Sequence, residues 1–540
     1  MLETSARHRP GTLTPTLIIT LFAALLLSVS STPAAGNTLQ RGNGAEPETL
    51  DVHKSSGVPE ANIQRDLFEG LVAEAADGAL IPGVAESWAL SEDGKVYTFR
   101  LRKNAKWSNG DPVTAHDFVF ALRRGVDPAV GSSYAFILWP IAYAEEITKG
   151  KVKEVDRMGV EAVDAHTLKI TLKAPTPYFI GMLTHHQAYP LHRKTLERHG
   201  DKWTRPGNLV SNGAYRLVEW APQSHVRLER NPHYRDAANV RIDAVVFHPT
   251  EDKSTELKRF RSGELDITDD VPGDQIPWVE KNLAGQFRNT AYLGTYYYAL
   301  NLTKAPFRDQ AGLRNALAMT IDREILTGKI TKGGEIPAYA WVPPGVNQYA
   351  GAKVPWHGLS KAERLARAKK LYAEAGYSTD NPLEVQILYN TSDGHKRVAI
   401  AISGMWKKAL GVRTELFNQE WKVYLTTRKA KQFEVLRAGW IGDYNDANTF
   451  LELLKGTVGT MNPAGYANSE YDALMRKAET ETDLEARAKL MQKAESILLA
   501  DLPIIPIYHY TTQHLVSPRV KGWKDNVMDV HPTRFLSLAP

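Results

Sequence analysis

The stretch that decides the fold reads FEVLRAGWIGDYNDANTF, residues 433–450. It opens as an alternating strand, with Phe433, Val435 and, less cleanly, Arg437 on one face. It then passes through Gly439 and Gly442 into a cluster of Asp443, Asn445, Asp446 and Asn448. A cation, an aromatic ring and an anion (Arg437, Trp440, Asp443) therefore share one strand-to-loop junction. Taken alone, GDYND is an Asx-type turn. Taken with Arg437, it offers one charged group for each end of a zwitterion. The span from Arg437 to Asp443 reaches up to ~20 Å if extended, against roughly 10 Å for a tripeptide. At this level both readings stand.

The surrounding chain has 540 residues, 43% hydrophobic and 24% charged, the balance of a soluble globular protein with room for about two to four domains. Its 66 basic and 61 acidic residues are mixed along the chain and leave a net charge of +5. Without a basic run to track phosphates, nucleic acid is excluded as a partner. Arg7, His8 and Arg9 precede LIITLFAALLLSV, Leu17 to Val29, and SSTPAAGNT follows. A positive head, a short apolar middle and a small-residue end predict a cleavable signal peptide over residues 1–35, cut near Ala34 or Ala35. Thirteen residues rise only about 20 Å as a helix, too little to span a bilayer. The chain contains no cysteine. Neither disulfides nor the acylated cysteine of a lipoprotein is available, and a free periplasmic protein is expected.

Helix and strand signals alternate. Pro59 starts a helix that Gly70 is expected to end. SEDGKVYTFRLR places Tyr97, Phe99 and Leu101 on one face of a strand, and VDAHTLKITL does the same with Leu168, Ile170 and Leu172. Thr114 and Asp117 open a helix whose apolar face is Phe118, Ala121 and Leu122. Ser360 with Glu363 makes a capping box on a helix stopped by Gly376. Thr482 with Glu485 predicts a second box, above a stripe of Leu484, Ala488, Met491 and Leu498 that runs out before Pro503. There are no repeats and no Gly/Ser-rich linkers, so the pattern is an α/β chain of more than one lobe joined by ordered crossings.

The sequence carries no phosphate-binding Gly-rich loop, no G-x-S-x-G elbow and no H-E-x-x-H. This weights the reading toward a binding protein over an enzyme, with no cofactor or metal. His185 and His186 are adjacent and read as surface or satisfied polar residues. Asp266, Asp269, Asp270 and Asp274 do not fit a calcium loop and read as a strand end running into a solvated turn. The 12 Trp and 22 Tyr, including those of TYYYALN (295–301) and QEWKVYL (419–425), suit a ligand cleft and a core equally.

A set of ordered blocks is more specific. SSGVPEANIQRDLFEGL, GVAESWALSEDGKVYTFRLRKNAKWSNGDPVTAHDFVFALRR, SNGAYRLVEW, RFRSGELDI, TYYYALN, AMTIDRE, YNTSDGHKRVAIAI, NQEWK and RAGWIGDYNDANTF follow one another from about residue 55 to residue 450. The chain resembles the oligopeptide-binding proteins of ATP-driven peptide importers, solute-binding protein family 5. The resemblance implies a bilobal, three-domain periplasmic-binding-protein fold (type II, cluster C-like) with discontinuous domains. Domain I would comprise 36–68, 193–293 and 511–540, domain II 69–192 and domain III 294–510. It implies a monomeric receptor that captures short peptides in a closing cleft and delivers them to the permease of an ABC transporter with cytoplasmic ATPases. A receptor dedicated to one ligand, such as murein tripeptide or another non-ribosomal peptide, is the alternative, and a secreted peptide hydrolase a distant third.

Carried over residue by residue, Asp443 would hold the peptide ammonium, and Arg437 with His395 its carboxylate. Backbone groups of Val58, Gly439 and Ile441 would pair with the ligand main chain. Tyr134, Tyr297, Trp421, Arg428, Trp440 and Ser56 would line pockets. Three positions depart from the family. Ser56 stands where a glutamate is usual, Thr331 where a lysine is, with Lys332 one place off, and Gly294 and Ile441 replace a disulfide pair.

Overall fold

The alternating stretches around Tyr97 and Leu168 become the strands Val96–Leu101 and Thr167–Thr171, which bury Tyr97, Phe99, Leu101, Leu168 and Ile170. In the computed structural model, which describes residues 37–346 and 349–539, they are the central strands of a four-stranded antiparallel sheet edged by Ala85–Leu90 and Val160–Asp164. The expected signal segment lies outside the described residues. The helix Ala115–Val126 packs on this sheet through Phe118, Ala121 and Leu122. Thr114 and Asp117 open it as expected and also form a capping box, the Thr114 N–H donating to Asp117 Oδ2 at 2.7 Å.

A second four-stranded sheet joins Thr38–Gly42, in parallel, to Ala244–His248, followed by His225–Arg230 and Tyr215–Ala221. The end of the chain returns to this region. Thr533 donates both its N–H and its hydroxyl to the buried Asp66 carboxylate, and His514–Leu515 pairs with Phe287–Arg288.

The third sheet has six strands, in the order Ile336–Pro337, Ile504–Thr511, Ala291–Leu300, Val435–Ile441, Glu384–Asn390, Arg413–Gln419. The opening stretch of the sequence is thus a strand inside it. Val435–Ile441 is antiparallel to Ala291–Leu300 over its whole length, from Leu300 opposite Val435 to Gly294 opposite Ile441. Its other edge meets Glu384–Asn390 only at Val435 and Leu436. From Arg437 onward that edge has no strand neighbour among the described residues. The expected alternation gives way to burial of Val435, Leu436, Arg437, Ala438 and Trp440 in near-continuous sequence, because both faces of the sheet are covered.

The Ser360–Glu363 box is present, with Ser360 N–H to Glu363 Oε2 at 2.8 Å. The second box shifts by one residue. Asp483, not Thr482, caps the helix Leu484–Asp501, its Oδ1 accepting the Ala486 N–H at 2.7 Å. A carboxylate also answers the positive end of the helix dipole, which a hydroxyl does not. Leu484 accordingly falls off the stripe and is exposed, while Ala488, Met491 and Leu498 are buried. The first helix, Val58–Leu67, ends at an extended Phe68 rather than at Gly70.

The molecule is bilobal and α/β. Residues of the 69–192 stretch meet residues beyond 294 face to face. Tyr178 stacks on Tyr444 with centroids 5.6 Å apart, Arg487 lies 4.5 Å over Tyr178, and Tyr134 stacks on Trp440 at 6.1 Å. Among the described residues no helix is long and apolar enough to cross a membrane.

The Gly442 N–H donates to Leu293 O at 2.8 Å, so Gly294 and Ile441 form a non-hydrogen-bonded pair. Such pairs bring Cα atoms to about 4.5 Å, within disulfide range. The double variant Gly294→Cys, Ile441→Cys is expected to oxidise to a bridge that adds ~2–4 kcal/mol, once the Tyr510 ring moves aside. Urea unfolding with and without reductant measures it, and a reductant-independent midpoint would disprove the register.

Candidate functional site

The site is built on the bare edge of Val435–Ile441. In an antiparallel pair, each residue points its N–H and C=O to the same side, alternating along the strand. Gly442 points toward Ala291–Leu300, so Ala438 and Trp440 do too, while Arg437, Gly439 and Ile441 face the bare edge. The Arg437 carbonyl is taken by the Tyr424 hydroxyl at 2.6 Å. Gly439 and Ile441 remain, and both line a cavity. A Cβ on Gly439 would lie 2.5 Å from Tyr510 Oη, so any larger residue there would displace the ring that accepts from Arg437. Across the cavity, Val58 opens the helix Val58–Leu67, whose first N–H groups have no partner within the helix.

This cavity, about 140 Å³, brings together Ser56, Val58, Tyr134, Trp421, Arg428, Gly439, Trp440, Ile441 and Asp443 from four separate segments. Trp421 and Arg428 lie two turns apart on one face of the helix Trp421–Lys429. Tyr134 and His185 come from the opposite lobe, the two rings stacked with centroids 4.9 Å apart. The Asp443 side chain is only 9% exposed. Its Oδ2 accepts the Thr449 hydroxyl at 3.2 Å, and its Oδ1 lies 3.5 Å from His185 Nε2. Burial pushes its carboxyl up to about 8, helped by the Glu452 charge and opposed by the Thr449 bond. Burial, with the charges of His186 and Arg65, holds His185 well below its usual range. Both groups are therefore largely neutral at pH 7.

The histidine pair is not at the surface. His185 Nδ1 accepts the Gln187 N–H at 3.2 Å, and His186 Nδ1 meets Val52 O at 2.6 Å. The satisfied half of the sequence expectation holds, and His185 proves to be a wall of the site.

A second cavity, about 270 Å³, lies at the other end of the strand and holds Arg437 and His395. Arg437 donates from Nη1 to Asn390 Oδ1 (2.9 Å) and from Nη2 to Tyr510 Oη (2.8 Å), and stacks 4.4 Å over Tyr296. Its Nε is buried without a partner. Burial and the Arg437 charge hold His395 well below its usual range, leaving a neutral ring with one N–H to give. Thr331 donates to Glu335 Oε2 at 2.8 Å in this cavity's wall, so no cation stands at that position. Of the aspartates expected in a solvated turn, Asp274 is exposed but the other three are not free in solvent. Asp266 is buried, 2.9 Å from Arg519 Nε, and Asp269 and Asp270 line this cavity.

Tyr297 lines neither cavity. It is fully buried, edge-on to Trp341 at 4.9 Å, in the core beneath the strand. Three residues unassigned from sequence belong to the site: Arg65 and His185 on the Asp443 side, and Tyr510 beside Arg437. Arg65 lies two turns along the helix from Val58, a spacing that marks a shared face. Tyr510 sits two strands away from Arg437 and carries no local signal. Among the described residues, His514, Asp529 and His531 gather close enough to suggest a metal. However, His514 donates from Nδ1 to Thr268 O and meets Asp529 Oδ1 through Nε2, both at 2.9 Å. With both nitrogens engaged, and the ring pushed up to about 9 by the Asp529 carboxylate against the effect of burial, it is an imidazolium in a buried ion pair.

Two lobes closed over a cleft, and a bare strand edge with a buried carboxyl at one end and a guanidinium at the other, define a solute-binding receptor. Residues 79–462 match the family described as bacterial extracellular solute-binding proteins, family 5. The chain is 44% identical over 495 residues to the periplasmic oligopeptide-binding protein OppA of Escherichia coli strain K12, covering 91% of this chain and 90% of that one. The crystal structure of Haemophilus influenzae OppA in complex with RPPGFSPFR superposes with a TM-score of 0.90 at 42% identity, over 93% of this chain and 99% of the other. The E. coli murein tripeptide binding protein MppA gives 0.91 at 42% identity, over 94% and 99%. Its unliganded open form gives only 0.66, at 41% identity over 94% and 98%, so the lobes here stand in the closed arrangement. The chain belongs to solute-binding protein family 5 and is a receptor, not an enzyme.

The raised Asp443 carboxyl has a consequence for stability. Its folded value of about 8 exceeds the ordinary 3.8, so the stability it contributes below pH 4 is lost as pH rises through 8. Asp443→Asn escapes that loss. The ligand-free variant should match the parent in Tm near pH 4 and exceed it increasingly toward pH 8, and a pH-independent difference would refute the buried carboxyl.

Proposed function

We propose that this protein is a periplasmic receptor for short peptides that delivers them to the permease of an ABC transporter, whose ATPases lie on the cytoplasmic side. The observation that carries the reading is the strand edge at Gly439 and Ile441, bare between Asp443 at one end and Arg437 at the other. An extended peptide adds to that edge as a strand, its main chain satisfied by backbone groups whatever its side chains. Its two charged termini lose water on closure and need charged partners, since an unpaired buried charge costs several kcal/mol. Asp443 takes the ammonium, giving up its proton as it does so. The Arg437 fork and the neutral His395 ring take the carboxylate.

The named relatives act on peptides, which supports the same substrate class here. The three larger sheets suit a division into domain I (36–68, 193–293, 511–540), domain II (69–192) and domain III (294–510). A cleaved signal over residues 1–35 delivers the protein to the periplasm unlipidated, where it works as a monomer. Ser56, and Thr331 engaged with Glu335, favour a second reading in which the pockets suit one dedicated ligand. Mass spectrometry of the native protein with its co-purified ligands separates a spread of peptides from a single dominant mass.

The test of the clamp is a pair of variants on a pair of blocked ligands. Asp443→Asn should weaken a free tripeptide at least tenfold while hardly changing its N-acetylated form. Arg437→Met should do the same for the free against the C-amidated form. Calorimetry reads both, and equal losses for blocked and free peptides would remove the assigned roles.

A further inference from the structure

Two triads of charge face each other across the lobes. In the 69–192 stretch, Glu145 on the helix Ala144–Thr148 accepts from Lys149 Nζ at 2.5 Å and from Lys173 Nζ at 3.0 Å. Beyond residue 294, Lys455 Nζ bonds Glu479 Oε1 and lies 3.6 Å from Glu452 Oε1. Two lysines against one glutamate leave the first triad cationic, and two glutamates against one lysine leave the second anionic. They meet where Lys173 Nζ lies 3.8 Å from Glu479 Oε2. Closed lobes thus complete one chain of alternating charge, running Lys149, Glu145, Lys173, Glu479, Lys455, Glu452, which is neutral as a whole.

The two halves sense each other. Burial works against the Lys455 ammonium, but Glu452, Glu479 and, from the opposite lobe, Glu145 hold it above its usual range. Burial raises the Glu452 carboxyl and Glu479 adds to the effect, while Lys455 and the opposite lobe's Lys173 counter it. Glu479 needs the arrangement most. It sits in the last turn of the helix Ser469–Thr480, where the negative end of the helix dipole disfavours an anion. Within its own lobe Lys455 has to serve both glutamates, and Lys173 supplies the missing cation.

The chain is also tied to the stacked tyrosines at the lobe junction. Lys173 and Tyr178 share one short segment stiffened by Pro175 and Pro177. Opposite them, Asn448 Nδ2 donates to Glu452 Oε2 and to Tyr444 Oη, each at 3.0 Å. Glu452 therefore helps to position the ring on which Tyr178 stacks, next in sequence to Asp443.

We propose that Lys173 and Glu479 form a latch, a cross-lobe ion pair that favours the closed arrangement and slows ligand escape without touching the ligand. The inference rests on the closing-receptor reading but not on the chemistry of the ligand, since none of the six residues lines either cavity of the candidate site. Neither latch substitution strands a buried charge. Without Lys173, Glu479 keeps Lys455 and Glu145 keeps Lys149; without the Glu479 charge, Lys173 keeps Glu145 and Lys455 keeps Glu452. The variants therefore keep the fold.

The chain has no cysteine, so Val163→Cys and Ile400→Cys, at exposed positions on opposite lobes, carry one spin label each. Pulsed electron spin resonance on the labelled, ligand-free, full-length receptor then reads the ratio of closed to open distances. Lys173→Met and Glu479→Gln are each expected to lower that ratio about fivefold, the scale of one partly exposed pair, and the double variant no further. Raising NaCl to about 1 M should lower the parent's ratio and leave that of the double variant alone. Lys169→Met removes a cation paired with Glu161 inside its own lobe and should change nothing. With Ala-Ala-Ala as ligand, dissociation should quicken in each single variant by the factor by which the ratio falls. An unchanged ratio in either single variant, losses that add in the double variant, or an equal loss in Lys169→Met would each overturn the latch. Failure of Ala-Ala-Ala to bind, with the ratio falling as expected, would overturn the peptide reading and leave the latch standing.

Discussion

A strand paired along the whole of one edge and for only two residues of the other is the constraint on which the site depends. Had Glu384–Asn390 continued its pairing past Leu436, Gly439 and Ile441 would be ordinary ladder members with nothing left to offer. Because it does not, the sheet ends inside the protein instead of at its surface. Exposed edges are normally blunted or covered to prevent chance pairing. Here the edge is covered by the second lobe, through Tyr134 and His185, so access depends on the lobes parting.

Electrostatics and packing pull in different directions around that edge. Closing the lobes strips water from Asp443, Arg437 and Arg428, and a protein optimised for stability alone would not bury three ionisable groups in this way. Arg437 is partly answered by Asn390, Tyr510 and the face of Tyr296. Asp443 is relieved by holding its proton, and Arg428 is not relieved at all. The molecule thus stores unmet interaction in the candidate site, while aromatic contacts between the lobes form both inside it, Tyr134 on Trp440, and beside it, where Tyr178 stacks on Tyr444 beneath Arg487.

What could be read from the sequence was what the chain states locally. Arg437, Trp440 and Asp443 lie within one short segment, and the boxes at Thr114 and Ser360 are fixed by residues three apart. The strands around Phe99 and Leu168 carry their period openly because one face of their sheet is solvated. Thr482 was misleading because two good caps stood side by side and the charged one won. The strand at Val435 hid its period because the sheet is covered on both faces. Tyr297 resembled a cleft aromatic in a run of three tyrosines, yet strand register alone decides which way each ring points. His185 lacked any signal, since its partner Asp443 is 258 positions away and belongs to the other lobe. Nothing short of the tertiary arrangement distinguishes it from its neighbour His186.

The main-chain recognition proposed for Gly439 and Ile441 also bears on how such a receptor evolves. Under the proposed function the groups that read the ligand belong to the backbone, so no substitution at Ile441 short of proline can delete them, and at Gly439 an added Cβ would fall 2.5 Å from Tyr510 Oη. Drift in the pocket walls can therefore rewrite which side chains are welcome without ever passing through a form that grips no peptide, and a lineage can wander from generalist to specialist and back along a path of working proteins.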